Sequence, residues 1–187
     1  MLVSKSKIRI LDFDIENRPL SYWYKGEPTS EITAIATCWV DDLSTLKATV
    51  LGRETLEEIL VDFVKLYNEA DMVTGHYIIR HDLPTINGAL LELGMPQLGP
   101  KLVSDTKMHM HKKAGIPATQ EYLSEIFNIS APKVGMTQNK WRKANRLTPE
   151  GLALTEKRAT GDVVQHMLLR NRMLEMKLLA PAKMWRP

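Results

Sequence analysis

Apolar and polar side chains alternate along residues 8–16, near the start of the chain. Because successive strand side chains point to opposite faces, this alternation predicts a β-strand with one apolar face. The apolar face carries three large hydrophobic residues: Leu11, Phe13 and Ile15. The opposite face carries three carboxylates, those of Asp12, Asp14 and Glu16. The pattern therefore predicts a half-buried strand whose second face is acidic.

Two further strands follow at short intervals. A loop at 19–30 leads into a strand-like stretch at 31–40, and a turn at 41–42 precedes a third stretch at 46–51. Strands joined by short connections pair in the antiparallel sense, because parallel pairing needs a long crossover. The pattern predicts an antiparallel meander of three strands.

Hydrophobic residues at helical spacing then predict a helix over residues 55–69. Thr55 and Glu58 stand three residues apart at its start, as in a capping box. A short strand is predicted at 71–76 and a second helix at 83–94, with proline in its first turn and glycine at its end. Strand, helix, strand and helix after a meander indicate an α/β domain with a mixed sheet.

The second half of the chain is mostly helical in its pattern. Residues 120–127 carry apolar side chains on one side, and a long helix is predicted over 148–179, with Gly161 as a break or kink. A length of 187 residues suits a single domain, 1–187. We place its core at about residues 7–180 and a short basic tail at 181–187.

Composition places the chain among ordinary globular proteins, with 44% hydrophobic and 25% charged residues. No apolar run is long enough to span a membrane, and the start lacks the apolar core of a secretory signal, which predicts a cytoplasmic protein. Cys38 is the only cysteine, so an internal disulfide and a zinc site built from several cysteines are both excluded.

Charge is distributed unevenly, although the net charge is only +3. Residues 1–100 contain 9 Lys and Arg against 15 Asp and Glu, whereas residues 101–187 contain 16 against 7. Such a division predicts an acidic centre that collects cations beside a basic surface that meets a polyanion. The pattern suits a nuclease, but unrelated proteins show it too.

Four carboxylates are candidates for a metal site. Same-face neighbours such as Asp14 and Glu16 lie roughly 6.5–7 Å apart on a strand, close enough to hold cations between them, and burying them is costly unless a cation compensates their charge. The alternative is a strand end that emerges into water. Asp82 stands where a strand gives way to a helix, either over the carboxyl edge of the sheet or as a helix cap. Asp162 lies in the long helix, as a site residue or as a first-turn acid favoured by the helix dipole.

The order of these acids resembles that of the DnaQ-like 3′–5′ exonucleases of the RNase H-like superfamily, in particular phage-encoded members. That family is named DEDD after four acids carried by three separated motifs. Asp14 and Glu16 match the first motif on its strand, and the His-Asp-Leu-Pro run at residues 81–84 resembles the second. Asp162 falls in a late helix, as the third motif requires. The resemblance covers roughly residues 7–180, and it depends on motif order, spacing and placement together.

This resemblance implies an RNase H-like α/β fold, in which helices flank a central mixed sheet made of an antiparallel meander and parallel strands. It also implies two divalent cations, Mg²⁺ or Mn²⁺, because two ions can stabilise both the attacking and the leaving oxygen of a phosphodiester. The implied ligands are Asp14, Glu16, Asp82 and Asp162, with Asp14 as the bridge. Asp12 shares the strand face but lies deeper toward the core, so it is not counted among the ligands.

The match with the family breaks at the general base. Members place a tyrosine four residues before the last aspartate or a histidine five residues before it, whereas this chain has Arg158 and Lys157 there. A protonated side chain does not readily accept a proton from water. His166, four residues after Asp162 on the same helical face, is the candidate base. The alternatives are that the metals suffice or that activity is reduced, with His166 an ordinary helix histidine.

A basic segment is the candidate surface for nucleic acid. Residues 130–149 contain five basic side chains and no acid, and Trp141 stands among them. Cations interleaved with an aromatic ring suit single-stranded nucleic acid, and the alternative is a solvated helix whose tryptophan faces inward. The predicted contacts are Lys133, Lys140, Trp141, Arg142, Lys143 and Tyr77.

The leading hypothesis is a metal-dependent 3′–5′ exonuclease that acts on single-stranded or frayed 3′ ends of DNA, or of RNA. Replication or repair proteins are the expected partners, and the host cytoplasm is the expected location if a phage encodes the chain. One rival is a structure-specific endonuclease on the same fold, since it shares the metal chemistry. Another is a non-catalytic nucleic-acid-binding protein whose active site is degenerate.

Overall fold

A computed structural model describes residues 8–20, 30–111, 115–131 and 134–187. Within these ranges the strands are β1 (Ile10–Pro19), β2 (Ser30–Trp39), β3 (Asp42–Val50), β4 (Met72–Gly75), β5 (Lys101–Asp105) and β6 (Lys183–Trp185). They form one mixed sheet in the order β3-β2-β1-β4-β5-β6. β1 therefore lies in the middle of the sheet, with neighbours on both sides.

The sheet has an antiparallel half and a parallel half. β1, β2 and β3 pair antiparallel in sequence order, which confirms the predicted meander. β4 pairs parallel with β1, and β5 pairs parallel with β4. β6 pairs antiparallel with β5, so residues expected in a basic tail supply an edge strand. β5 and β6 were not predicted, because strands of five and three residues are too short to show a hydrophobic period.

Helices cover both faces of the sheet. They are α1 (Leu56–Glu69), α2 (Asp82–Glu92), α3 (Thr106–His111), α4 (Gln120–Ile126), α5 (Gln138–Asn145) and α6 (Pro149–Glu175). The four predicted helices are present, but α6 runs through Gly161 without the predicted break. Gly161 is buried in a helix packed on the sheet, and such packing outweighs a helix propensity about 1 kcal/mol below that of alanine. In the described residues, none of these helices combines the length and apolarity needed to cross a bilayer.

The predicted capping box at the start of α1 is confirmed. The Glu58 backbone N–H donates to Thr55 Oγ1 at 3.2 Å, and the Thr55 N–H donates to Glu58 Oε2 at 2.8 Å. The buried face of α1 packs with the apolar face of β1 in one core, where the rings of Phe13 and Phe63 lie 4.9 Å apart. Burial of each such ring stabilises the fold by about 1.5–3 kcal/mol. This core fixes which face of β1 points away from α1.

The long helix α6 lies across the other face of the sheet, over β1, β2 and β3. Small residues of β2 flank the acids of β1 in register, with Ala36 opposite Asp14 and Ala34 opposite Glu16. Both alanines are fully buried and belong to a second core together with Ala159 of α6. These small side chains let α6 approach closely, so the helix lies directly over the acidic face of β1.

Candidate metal centre

Three carboxylates from distant parts of the chain meet between β1 and α6. Asp14, Glu16 and Asp162 each offer an oxygen, and these oxygens all lie within 4.8 Å of one another. Asp14 and Glu16 share a face because they are two residues apart on a strand, and Asp162 reaches them from the middle of α6. The pairing of β1 with β2 shifts register directly after Glu16, so the regular strand face ends at the site. The structure thus brings together three of the four predicted ligands.

Asp82, the fourth predicted ligand, lies beside this group but outside it. It is the first residue of α2 and is buried, and its Oδ1 accepts a hydrogen bond of 3.1 Å from the Ile15 N–H of β1. Its Oδ2 lies 3.3 Å from Nδ1 of His81, which is partly exposed. His81 occupies the N-cap position without a side-chain cap, so the capping alternative for Asp82 is not the observed arrangement. Asp82 ties the start of α2 to the strand that carries the other acids.

Burial and mutual repulsion disfavour simultaneous ionisation of the carboxylates. Burial raises the pKa of Asp14 well above its ordinary value, and the neighbouring Asp82, Glu16 and Asp162 raise it further. Burial likewise raises the pKa of Glu16 to about 7, although the positive charge of Arg158 opposes the shift. Burial also raises the pKa of Asp82 against the opposing hydrogen bond from His81. A cation placed among these oxygens would stabilise their ionised form, so the cluster is a candidate cation site.

A cation of the protein itself already contacts the site. Arg158 Nε donates to Glu16 Oε1 at 2.5 Å, and Arg158 Nη2 lies 3.3 Å from Asp162 Oδ2. On the outer side, the guanidinium carbon stands 5.3 Å from the ring centre of Trp141. The sequence placed Arg158 where the family carries its base, but it did not predict this position among the carboxylates. The spacing of four residues between Arg158 and Asp162 on one helix was the available signal.

The surroundings of His166, the candidate base, favour its alternative as an ordinary helix histidine. Its ring is buried, with Nδ1 2.7 and 2.8 Å from the two carboxylate oxygens of Asp12 and Nε2 3.1 Å from Thr106 Oγ1. A histidine closed off from water with both nitrogens in contact is not placed to take a proton from an attacking water. His166 instead pairs with Asp12, which is fully buried and deeper in the core, as predicted. Burial raises the pKa of Asp12, and the contact with His166 opposes that shift.

The residues predicted to contact nucleic acid differ in their exposure and in their bonds to other groups of the protein. Lys140 Nζ donates to the Gly135 carbonyl at 2.9 Å, and Lys143 Nζ lies 2.6 Å from Glu150 Oε2. Trp141 is half-buried against Arg158, which is closer to the alternative in which the tryptophan faces inward. Arg142 is exposed. Lys133 lies outside the described residues.

Tyr77, the remaining predicted contact, lies in the turn that leads to Asp82. Its backbone has a φ of 77°, which is strained for a residue with a side chain, and Lys107 Nζ stands 3.8 Å from its ring centre. Sequence reasoning missed Asp105, the fully buried residue that holds this turn. The carboxylate of Asp105 accepts from the backbone N–H groups of Tyr77, Ile79 and Met108. Its position at the carboxyl end of a parallel strand was the signal that could have revealed it.

Comparison with known proteins supports the fold. No protein-family model matches the sequence, and no curated protein is significantly similar to it. Among solved structures, the family B DNA polymerase from the hyperthermophilic archaeon Pyrobaculum calidifontis matches with a TM-score of 0.72 at 17% sequence identity. The match covers 92% of this chain and 25% of the polymerase chain, so this chain spans about a quarter of that protein's length. At such identity the likeness concerns the fold alone, and together with the sheet topology it confirms the expected α/β architecture, a mixed sheet flanked by helices.

Proposed function

We propose that this protein is a metal-dependent 3′–5′ exonuclease that hydrolyses phosphodiester bonds at nucleic-acid 3′ ends. The observation that carries the proposal is the meeting of Asp14, Glu16 and Asp162 in one largely buried cluster, although the second and the third lie 146 positions apart in the sequence. Order and placement of these acids resemble the DEDD exonucleases, and part of a DNA polymerase has the same fold. Burying several carboxylates together destabilises the fold unless cations compensate their charge, and Arg158 contacts two of the three.

The donor set fits hard divalent cations. Mg²⁺ and Mn²⁺ prefer oxygen ligands, and every donor in the cluster is a carboxylate oxygen. Asp14, Glu16 and Asp162 would hold the ions, with Asp82 beside them as the fourth acid. When bound, such ions activate water and offset the charge that grows on the leaving 3′ oxygen.

The rest of the chain would bind and orient the substrate. The basic half of the chain surrounds Trp141 with lysines and arginines, which suits a single-stranded or frayed 3′ end of DNA or RNA. Arg158 does not serve as a base: burial opposes its charge, but Glu16 and Asp162 overcome this and hold its pKa above the usual value. Replication or repair proteins are the partners proposed for such an exonuclease.

Replacing Asp14 tests the proposal. Asp14→Asn removes the most strongly perturbed carboxylate, and we expect it to lower the rate of Mg²⁺-dependent shortening of a 5′-labelled single strand by at least a hundredfold. The matched control is Asp62→Asn on α1, an exposed acid that pairs with Lys47 on the surface, and it should digest like the wild type. Circular dichroism and thermal unfolding establish that both variants are folded. Undiminished digestion by Asp14→Asn would contradict the proposal.

The same assay separates the rival functions. An exonuclease needs an end, so a closed circular single strand should survive while its linearised form is degraded to mononucleotides. Cutting of the circle would favour the endonuclease. Retention of nucleic acid without product from any substrate would favour the non-catalytic protein, a rival supported by the contact of Arg158 with Glu16.

A further inference from the structure

Arg158 occupies the place where a cation is needed. Its guanidinium contacts carboxylates from both walls of the centre, at 2.5 Å from Glu16 Oε1 and 3.3 Å from Asp162 Oδ2. Its side chain is 20% exposed, compared with 9% for Glu16 and 13% for Asp162, so the positive group lies partly within the cluster rather than over it. In this structure, the positive charge of Arg158 therefore neutralises the carboxylates of Glu16 and Asp162.

A divalent ion and this guanidinium would compete for the same oxygens. Glu16 Oε1 already accepts the short hydrogen bond from Arg158 Nε, and an oxygen in that bond presents less of its electron density to a metal. Two cations that share one pair of carboxylates also repel one another, and the repulsion is strong where water is scarce. Metal binding and the inward position of Arg158 thus oppose each other.

Arg158 also has contacts on the side away from the carboxylates. Its inner contacts are ionic, whereas its outer contacts are the Trp141 ring at 5.3 Å and the Val134 carbonyl, which lies 3.5 Å from Nη1. Both outer contacts belong to the segment around α5, and a flexible arginine side chain can turn about its bonds while the guanidinium stays against an aromatic face. Trp141 is therefore a surface on which the displaced guanidinium can rest.

We infer that Arg158 is a resident counter-cation of the acidic centre, which neutralises Glu16 and Asp162 in the metal-free protein and leaves them when a divalent ion binds. This inference rests on the proposed function, because it concerns the same centre. It gives Arg158 the role of setting metal affinity, and it links metal binding to the basic helix α5 through Trp141.

Metal binding without nucleic acid tests the inference. Titration calorimetry with Mn²⁺ should show at least tenfold tighter binding by Arg158→Gln than by the wild type, because the competing charge is gone. The matched control is Arg172→Gln, on the same helix and at an exposed pair 3.0 Å from Glu175, which should bind Mn²⁺ like the wild type. Equal or weaker binding by Arg158→Gln would overturn the inference.

A measurement on the wild-type protein covers the case in which Arg158→Gln fails to fold. The Arg158 Nε–H should give a distinct nitrogen–proton NMR signal, because it donates to a buried carboxylate, and Arg158→Lys identifies that signal by its loss. Saturation with Mg²⁺ should move it to the position typical of solvated arginines. A signal that stays in place while Mg²⁺ binds would show that Arg158 does not leave, and would overturn the inference.

Failure of this inference is distinguishable from failure of the proposed function. Tighter Mn²⁺ binding by Arg158→Gln without digestion by any variant would support the inference and contradict the exonuclease. Digestion by the wild type with unchanged Mn²⁺ affinity in Arg158→Gln would support the exonuclease and contradict the inference.

Discussion

Glu16 shows how a single residue makes the stability of this fold depend on pH. Burial raises its pKa from 4.5 to about 7, so the folded protein holds its proton more tightly than the unfolded chain does. The raised pKa of Glu16 therefore adds its full contribution to the free energy of unfolding below pH 4.5. This contribution is lost as the pH rises through about 7. Asp14 and Asp82, whose pKa values are also raised, add to the same trend.

The metal-free protein should accordingly be less stable at pH 8 than at pH 5. For Glu16 the expected loss in the free energy of unfolding is up to about 3 kcal/mol, measured by urea unfolding in the presence of a chelator. Added Mg²⁺ should reduce the loss, because it binds the ionised carboxylates of the folded state. Glu16→Gln is the control, with a smaller loss between the two pH values. Equal stability at pH 5 and pH 8 would contradict the raised pKa of Glu16 in the folded protein.

His166 is a second single residue with a large expected effect, and its role is structural. His166→Ala removes the partner of a buried carboxylate, so it should lower the free energy of unfolding by about 3 kcal/mol or more. His166→Asn keeps a donor near the position of Nδ1 and should lose less. Because neither variant removes a base, both should retain cleavage within about tenfold of the wild type when folded, whereas loss of a base costs about 10²–10⁴. A hundredfold loss of cleavage rate in both folded variants would contradict the structural role and indicate that His166 takes part in catalysis.

At the scale of elements, α5 and the start of α6 approach each other closely. A Cβ added to Gly151 would run into the Lys143 carbonyl and the Ala144 nitrogen, which are rigid backbone atoms. Gly88, in contrast, is an exposed residue of α2 with open space around it. The glycine at 151 therefore permits the contact that holds Trp141 near Arg158.

These two glycines should respond to alanine in opposite senses. Gly151→Ala should lower the free energy of unfolding by about 1–3 kcal/mol, since helix packing must open. Gly88→Ala should raise it by about 0.5–1 kcal/mol, because alanine restricts the unfolded chain and favours the helix. Urea unfolding of both variants measures the difference. Stabilisation by Gly151→Ala would mean that α5 does not pack as described.

Elements with a clear period were predictable, and the others were not. The meander and α1 follow from alternation and helical spacing over nine or more residues each. β5 and β6 are too short for a period, and α5 has little apolar character, so each exists because of what it packs against. Strand parity predicted the acidic face of β1. The contacts of Arg158 and His166 depend on how α6 is rotated over the sheet, which no local pattern specifies.

At the scale of the whole molecule, the two oppositely charged halves of the chain meet at one place. The acidic half supplies β1 with Asp14 and Glu16, and the basic half supplies α6 with Asp162 and Arg158. The sheet turns its apolar face to α1 and its acidic face to α6, so the centre forms only when both layers are assembled. The charge division along the sequence thus places the acidic face of β1 against a helix from the basic half, an arrangement that suits the proposed exonuclease.

A crystal structure of the protein soaked in Mn²⁺ tests the central claim most directly, because the anomalous signal locates the ion without reference to activity. We expect the anomalous peak to locate an ion bonded to Asp14 and to at least one more of the four acids, about 2.1 Å from their oxygens. Arg158 should then lie away from Glu16. A crystal with no peak at these carboxylates, and with Arg158 still on Glu16 at saturating Mn²⁺, would contradict the claim that this cluster is a metal centre.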